Sequence, residues 1–336
     1  MQEADLDLDV RWYAGSLSRR GKAAAPIQVH SASASTVLLR QNIESNFEAP
    51  FLYLLFGEDR ALLLDTGATA DATNFPLRTT VDTLIEEWLR SHPNDGYELV
   101  VAHSHAHGDH VAGDGQFVNR PATRIVGHAA EDVATYFGLN DWPRGAARFD
   151  LGGRVLEVIP APGHHPSAVA IYDERTGLLL TGDTVYPGRL YVQDLPAFQD
   201  SLRRLCEFSA AHPVMAVLGA HIEMSARPFR DFPLGSTWHP GEAPLPLTVR
   251  DLHMVRDAAA QVADHPGAHR FANFVIWNGP CRRESAAQSV RLVLSRLARL
   301  SRLSRLPRLS GALGRRPRKL LATMAREPQV GRGRKE

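Results

Sequence analysis

Leu99-Val100-Val101-Ala102-His103-Ser104-His105-Ala106-His107-Gly108-Asp109-His110 decides how this chain folds. The first four residues form an apolar run of the length of a buried strand. The next eight hold four histidines and one aspartate, a density that packing does not account for. Imidazole nitrogen and carboxylate oxygen are the usual ligands of zinc and related divalent ions. A strand that empties into such a set predicts a metal site at the edge of a sheet.

On the N-terminal side, Phe51-Leu-Tyr-Leu-Leu-Phe56 and Ala61-Leu-Leu-Leu-Asp65 are apolar runs joined by Gly57-Glu-Asp-Arg60, which predicts a β-hairpin. Val81, Leu84, Ile85, Trp88 and Leu89 recur at helical spacing and predict an amphipathic helix ending near His92-Pro93. On the C-terminal side, short strands are expected at 124–127, 155–159, 168–172, 178–181 and 214–218. Helices are expected at about 129–136, 196–208 and 248–262. Strands that alternate with helices yet also pair as hairpins indicate an α/β (α+β) chain of mixed sheets covered by helices.

Several of these strands end in polar groups. Asp65-Thr66-Gly67, Pro162-Gly163-His164-His165, Thr181-Gly182-Asp183-Thr184 and Gly219-Ala220-His221 each follow an apolar run. With the histidine cluster, five strand ends present ligand-type residues, the trace that a site at one sheet edge leaves in sequence.

These pieces, in this order, resemble the metallo-β-lactamase superfamily over about Phe51 to His221. The resemblance implies an αββα sandwich, two mixed β-sheets packed face to face and flanked by helices, with a metal site at the sheet edge. Carried over by position, it makes His105, His107 and His164 the ligands of one metal. Asp109, His110 and His221 become those of a second, and Asp183 the carboxylate bridging both. Asp65 resembles the family's aspartate that fixes a ligand imidazole through its other N–H. Asp109-His110 sets the register and leaves His103 as a buried polar group behind the ligands. His165, directly after His164, is either a pocket residue or an ordinary loop histidine.

The implied cofactors are two divalent ions, zinc with iron or manganese as alternatives. Their shared water, its pKa lowered to near 7, would attack a carbonyl carbon, with Asp109 also orienting the hydroxide. The implied activity is a hydroxyacylglutathione hydrolase-like cleavage of a thioester, ester or lactone. Asp183 stands where true β-lactamases typically carry Cys or Ser, which disfavours β-lactamase-type amide hydrolysis without removing it. The other alternative on this fold is a mononuclear-iron sulfur oxygenase resembling persulfide dioxygenases. The family's basic glutathione-binding signature is not recognisable around Phe274-Val-Ile-Trp-Asn-Gly-Pro280. Tyr186, Arg189 and Tyr191, just after Asp183, are the candidate substrate contacts, against the alternative that the tyrosines pack and Arg189 pairs with an acid.

Charge divides the chain in two. Residues 281–336 hold 16 Lys+Arg and 3 Asp+Glu, a net +13, so residues 1–280 carry −12. The expected organisation is a hydrolase domain over 1–280 and a basic Leu/Arg-rich tail over 281–336, helical at about 285–306 and disordered beyond Pro307. The tail lacks the interleaved aromatics of a base-stacking surface, so no specific nucleic-acid partner is expected. Its expected contacts are polyanions or the chain's own acidic body, beside a small-molecule substrate at the site. No apolar run reaches the roughly 18 residues of a spanning helix, and the acidic N-terminus does not read as a secretory signal. With Cys206 and Cys281 far apart, reduced thiols and a cytoplasmic location are expected.

Overall fold

The computed structural model describes residues 6–16, 24–280 and 282–305. A six-stranded sheet runs in spatial order β1 (Ile27–Ser31), β2 (Thr36–Gln41), β3 (Phe51–Phe56), β4 (Arg60–Leu64), β5 (Glu98–Ala102), β6 (Thr123–Ile125). The first four strands pair antiparallel, and β4, β5 and β6 are parallel. Helix α1 (Leu77–Ser91) makes the crossover from β4 to β5, and the single turn α2 (Gly108–Val111) and α3 (Ala130–Phe137) follow.

The second sheet contains β7 (Ala147–Asp150), β8 (Val155–Pro160), β9 (Val169–Asp173) and β10 (Leu178–Gly182), with β12 (Ala216–Gly219) added parallel to β10. Its order is β12-β10-β9-β8-β7. A small third sheet orders β11 (Arg189–Tyr191), β14 (Val275–Trp277) and β13 (Ala268–Arg270). The remaining helices are α4 (Leu195–Ala211), α5 (Val249–Gln261) and α6 (Arg282–Arg305). Asp194 caps α4 by accepting from the Ala197 N–H at 3.0 Å, and Thr248 with Asp251 forms a capping box on α5.

The side-chain alternation of the strands builds the layers. On β3, Leu52 and Leu54 face α1, where Val81 and Ile85 cover them. Phe51, Tyr53 and Leu55 point the other way and meet Leu156, Val158, Ile171 and Leu180 of the second sheet. The outer face of that sheet, with Tyr172, Leu179 and Val217, is covered by Phe198 and Leu202 of α4 and Leu252 and Val255 of α5. This is the expected helix-sheet-sheet-helix stack. A small third sheet adds to it, joining the outer layer through Leu190 and Ile276. Its strands are three residues each, too short for alternation to register in a sequence.

Strand direction positions the site. The parallel strands β4 and β5 end at one edge of the first sheet. Strands β8 and β10 are both antiparallel to β9, so with β12 they end at one edge of the second. Hydrogen bonds between the sheets hold these edges together: Phe51 N–H to Ala220 O at 2.7 Å, Val169 N–H to Ser104 O at 2.9 Å and Tyr53 Oη to Gly219 O at 2.6 Å. The opposite end is tied by Arg154, fully buried at the start of β8. Its guanidinium donates to Asp173 Oδ2 at 2.6 Å, to Thr36 Oγ1 at 2.7 Å and to Phe56 O at 3.1 Å.

Helix α6 begins the basic tail, and its first turns dock on the body. Gln288 Nε2 donates to Asp231 Oδ2 at 2.8 Å, Arg291 reaches Asp231 Oδ1 at 3.0 Å, and the Leu234 N–H donates to Gln288 Oε1 at 3.2 Å. Cys281, and the stretch beyond Pro307 expected to be disordered, lie outside the described residues.

Two measurements follow. Arg154→Met is expected to cost about 3–5 kcal/mol, because it leaves Asp173 charged, buried and unpaired; a loss below about 1 kcal/mol in urea unfolding would contradict the tie. Truncation after Pro280 removes two donors from Asp231 and is expected to cost about 1–3 kcal/mol, read as a lower unfolding midpoint with the body still folded.

Candidate metal centre

Each side chain reaches the site by the end of a strand. The β5 end carries residues 103–110, with α2 turning Asp109 and His110 inward. The β8–β9 connection carries His164, and β10 and β12 deliver Asp183 and His221. Gly182 holds a backbone φ of +51°, and a Cβ there would lie 2.5 Å from the Ser104 Cβ. The glycine before Asp183 therefore lets β10 close on the histidine loop.

The seven side chains form two adjoining groups. In the first, His105 Nε2 lies 2.9 Å from His107 Nδ1, and His164 Nε2 lies 3.2 Å and 2.9 Å from those two atoms. In the second, His221 Nε2 lies 3.4 Å from Asp109 Oδ2, from Asp183 Oδ1 and from His110 Nε2. Asp183 joins the groups: Oδ1 is also 3.6 Å from His110 Nε2, while Oδ2 is 3.6 Å from His164 Nε2. The Asp183 Oδ1 atom is buried without a hydrogen-bond partner.

Other hydrogen bonds decide which imidazole nitrogens face inward. His164 Nδ1 donates to the Tyr191 carbonyl at 2.6 Å, and His221 Nδ1 to the Glu48 carbonyl at 2.9 Å. His110 Nδ1 donates to Asp65 Oδ2 at 2.8 Å. Each ring therefore turns Nε2 toward its neighbours. Asp65 is itself fixed by Ser104, whose N–H and hydroxyl donate to it at 2.7 and 2.9 Å. Its backbone sits at a φ of +71°, a conformation non-glycine residues rarely adopt.

Three imidazole nitrogens converging at 2.9–3.2 Å need a proton or a cation among them. Four nitrogens around zinc at about 2.0–2.1 Å would stand roughly 3.3 Å apart, close to the spacing here. The donor set and the unpartnered Asp183 oxygen therefore fit two divalent ions. The electrostatics agree. Burial, then the neighbouring His110, His164 and His107, push His105 well below the ordinary histidine value. Burial alone would raise Asp109, but hydrogen bonds from His110 and His221 hold it well below the carboxylate range. Burial would lower His221, yet Asp183 and Asp109 push it up to about 10. A cation entering this half replaces protons on the imidazoles, so its binding weakens as pH falls.

The candidate substrate contacts are placed differently from expectation. Arg189 is buried, and its guanidinium is spent on Glu223, on Asp231 Oδ2 at 3.2 Å, on Phe232 O at 2.7 Å and on Tyr191 Oη at 3.1 Å. Tyr186 is buried too; its hydroxyl donates to Arg189 O, and its ring lies against His221. These two are corrected from substrate contacts to supports of the site. Tyr191 is half-buried and contributes the carbonyl that aligns His164. His103 is outside both groups and donates through Nε2 to Asp114 at 2.8 Å. His165 sits beside the first group, its ring 4.8 Å from that of His107, and burial with its histidine neighbours pushes it down to about 4.

One residue escaped the sequence reading. Glu48 supplies the carbonyl that aligns His221. Its carboxyl faces the second group and is pushed up to about 7, chiefly by burial, with Asp109, Glu223 and Asp183 adding and His221 opposing. It stands in an irregular turn before β3, where no periodicity or motif marks it.

A sequence profile described as the Metallo-beta-lactamase superfamily matches residues 46–221. A protein named hydroxyacylglutathione hydrolase from Anaeromyxobacter dehalogenans is 37% identical over 86 residues, covering 26% of this chain and 32% of its own length. One of the same name from Pseudomonas savastanoi pv. phaseolicola is 34% identical over 127 residues, covering 36% and 47%. The chain thus spans about a third to a half of the length of these curated relatives. Among solved structures, a metallo-beta-lactamase from Erythrobacter litoralis aligns with a TM-score of 0.47 at 15% identity, covering 71% of this chain and 98% of that one.

Asp65 offers a direct check on the alignment of His110. Asp65→Ala is expected to lower zinc affinity about 10- to 100-fold, measured by competition with a chromophoric chelator, with the fold retained. An unchanged affinity would contradict its role.

Proposed function

The chain belongs to the metallo-beta-lactamase superfamily, and from that premise we propose that it is a metal-dependent hydrolase of small-molecule thioesters, esters or lactones. The observation that carries this is Asp183, whose two carboxylate oxygens face the two imidazole groups separately. His105, His107 and His164 would hold one ion and Asp109, His110 and His221 the other, with Asp183 between the two groups. Two divalent ions there, zinc with iron or manganese as alternatives, supply Lewis acidity toward a carbonyl and a nucleophile derived from water near neutral pH.

The chain's own groups do the positioning. Asp65 and the carbonyls of Tyr191 and Glu48 keep the imidazoles of His110, His164 and His221 oriented with Nε2 toward the site. Asp109 is partly exposed, so its free carboxylate oxygen is placed to accept a hydrogen bond from a water at the site and orient it. Substrate enters beside His107, Asp109 and Gln193, which border solvent where the other ligands are buried. Water supplies the nucleophile in place of a thiol: Cys206 is on α4 with its side chain in the core, and burial pushes it up to about 11. A free, buried thiol suits a reducing, cytoplasmic setting. The carboxylate at 183 favours ester and thioester cleavage over β-lactam hydrolysis, and the name hydroxyacylglutathione hydrolase of two relatives supports a thioester.

Zinc-loaded protein assayed against thioesters, lactones, aryl esters and a β-lactam tests this. Turnover of a thioester or ester well above that of the β-lactam is expected. Asp183→Asn is expected to lower kcat by more than about 100-fold, beyond the loss typical of groups behind the ligands, with an unchanged circular dichroism spectrum. Near-normal hydrolysis in that variant, or preference for the β-lactam, would overturn the reading.

A further inference from the structure

Helix α6 is amphipathic the wrong way round. Gln288, Arg291 and Ser295 lie toward the body, where the first two bind Asp231. The opposite side carries Val290, Val293, Leu294 and Leu297, each 55–58% exposed. At about 100° per residue these four share an arc of about 100°. A helix packed only for its own fold turns such a stripe inward. This one is held outward by a buried carboxylate on the body.

The surface beside the stripe continues it. The loop before Asp231 and the α6 residues Ala287 and Arg291 line one cavity of about 870 Å³. On its rim Phe229 is 60% exposed and held at a φ of +62°, a conformation rare for a bulky side chain. Arg227 and Arg230, either side of it, have no carboxylate partner among the described residues. The acids that line the cavity, Asp231 and Glu284, are already paired with Arg270, and Asp231 with Arg291 as well.

Charge selects the occupant. Residues 282–305 hold seven arginines and one glutamate, so stripe-to-stripe pairing of two copies would bring like charges together. The −12 body is repelled by an anionic surface while the +13 tail segment is drawn to it, which orients the whole chain. An exposed apolar stripe flanked by arginines is the composition of a helix lying in a membrane interface. No helix among the described residues is long and apolar enough to cross a membrane.

We propose that α6, with the Phe229 loop, is a docking face for an anionic lipid bilayer. The stripe enters the headgroup–acyl boundary, and Arg227 and Arg230 meet lipid phosphates. The protein thereby works at a membrane surface without spanning it.

Co-sedimentation of the full chain with phosphatidylcholine vesicles, with and without phosphatidylserine, tests this. Binding to the anionic vesicles is expected to exceed that to neutral ones by more than about 10-fold. Arg227→Ser with Arg230→Ser is expected to weaken it roughly 25-fold, and Val293→Asp with Leu297→Asp by at least about 10-fold. Both pairs lie on the surface, so an unchanged unfolding midpoint shows that the loss is not misfolding. No vesicle binding, equal binding to both lipids, or binding indifferent to the stripe variant would overturn the proposal. So would a dimer in analytical ultracentrifugation that the stripe variant dissolves, which would assign the face to a second copy. Duplex DNA binding in place of vesicle binding would overturn it as well.

Discussion

Five imidazoles and two carboxylates are brought within van der Waals distance of one another in a largely buried place. Without a positive charge among them this arrangement is costly, because buried polar groups must be paired. One group holds three imidazole nitrogens within 3.2 Å; in the other, two carboxylates at 3.4–3.6 Å hold protons on two imidazoles, which a cation would replace. The rest of the fold can be understood as what forces them together. Two sheets are pinned so that five strand ends share an edge, by Tyr53 on Gly219 and Phe51 on Ala220 near the site and by Arg154 on Asp173 at the far end.

Rigidity then has to reach individual nitrogens. Three backbone or carboxylate acceptors, from Tyr191, Glu48 and Asp65, each take one imidazole proton. Asp65 is held by Ser104, and Tyr191 from further out. Tyr191 is held by Arg189, Arg189 by Glu223 and Asp231, and Asp231 by Gln288 and Arg291 of α6. The basic helix is thus the outer end of a polar chain that begins at a ligand histidine. A substitution in α6 that unseats Asp231 acts on His164 through contacts alone, with no need for the helix to approach the site.

Much of this was legible from residues alone, for a physical reason. Strand ends that present His or Asp carry a local signature, since the apolar run and the ligand are neighbours in sequence. Mixed sheets covered by helices followed from the apolar runs and period-3.6 patterns, and the family resemblance supplied their αββα order. What stayed hidden depends on distant partners. Arg189 reads as a substrate-binding arginine until Glu223 and Asp231, 34 and 42 residues on, absorb its charge. Glu48 acts through its backbone carbonyl, which any residue possesses. The third sheet hides in three-residue strands, and in β1 and β2 the apolar residues are short runs set among Gln28, His30, Ser31, Arg40 and Gln41. In α6 the Leu/Arg-rich composition predicts a helix without fixing its face, and the docking of Gln288 and Arg291 on Asp231 shows which side faces out.

The central claim is that seven side chains assemble around two cations. Metal content of purified protein, loaded with zinc, dialysed against metal-free buffer and measured by inductively coupled plasma mass spectrometry, tests it most directly. The account predicts two zinc ions retained per chain. Retention of one ion or none by a folded protein would contradict it.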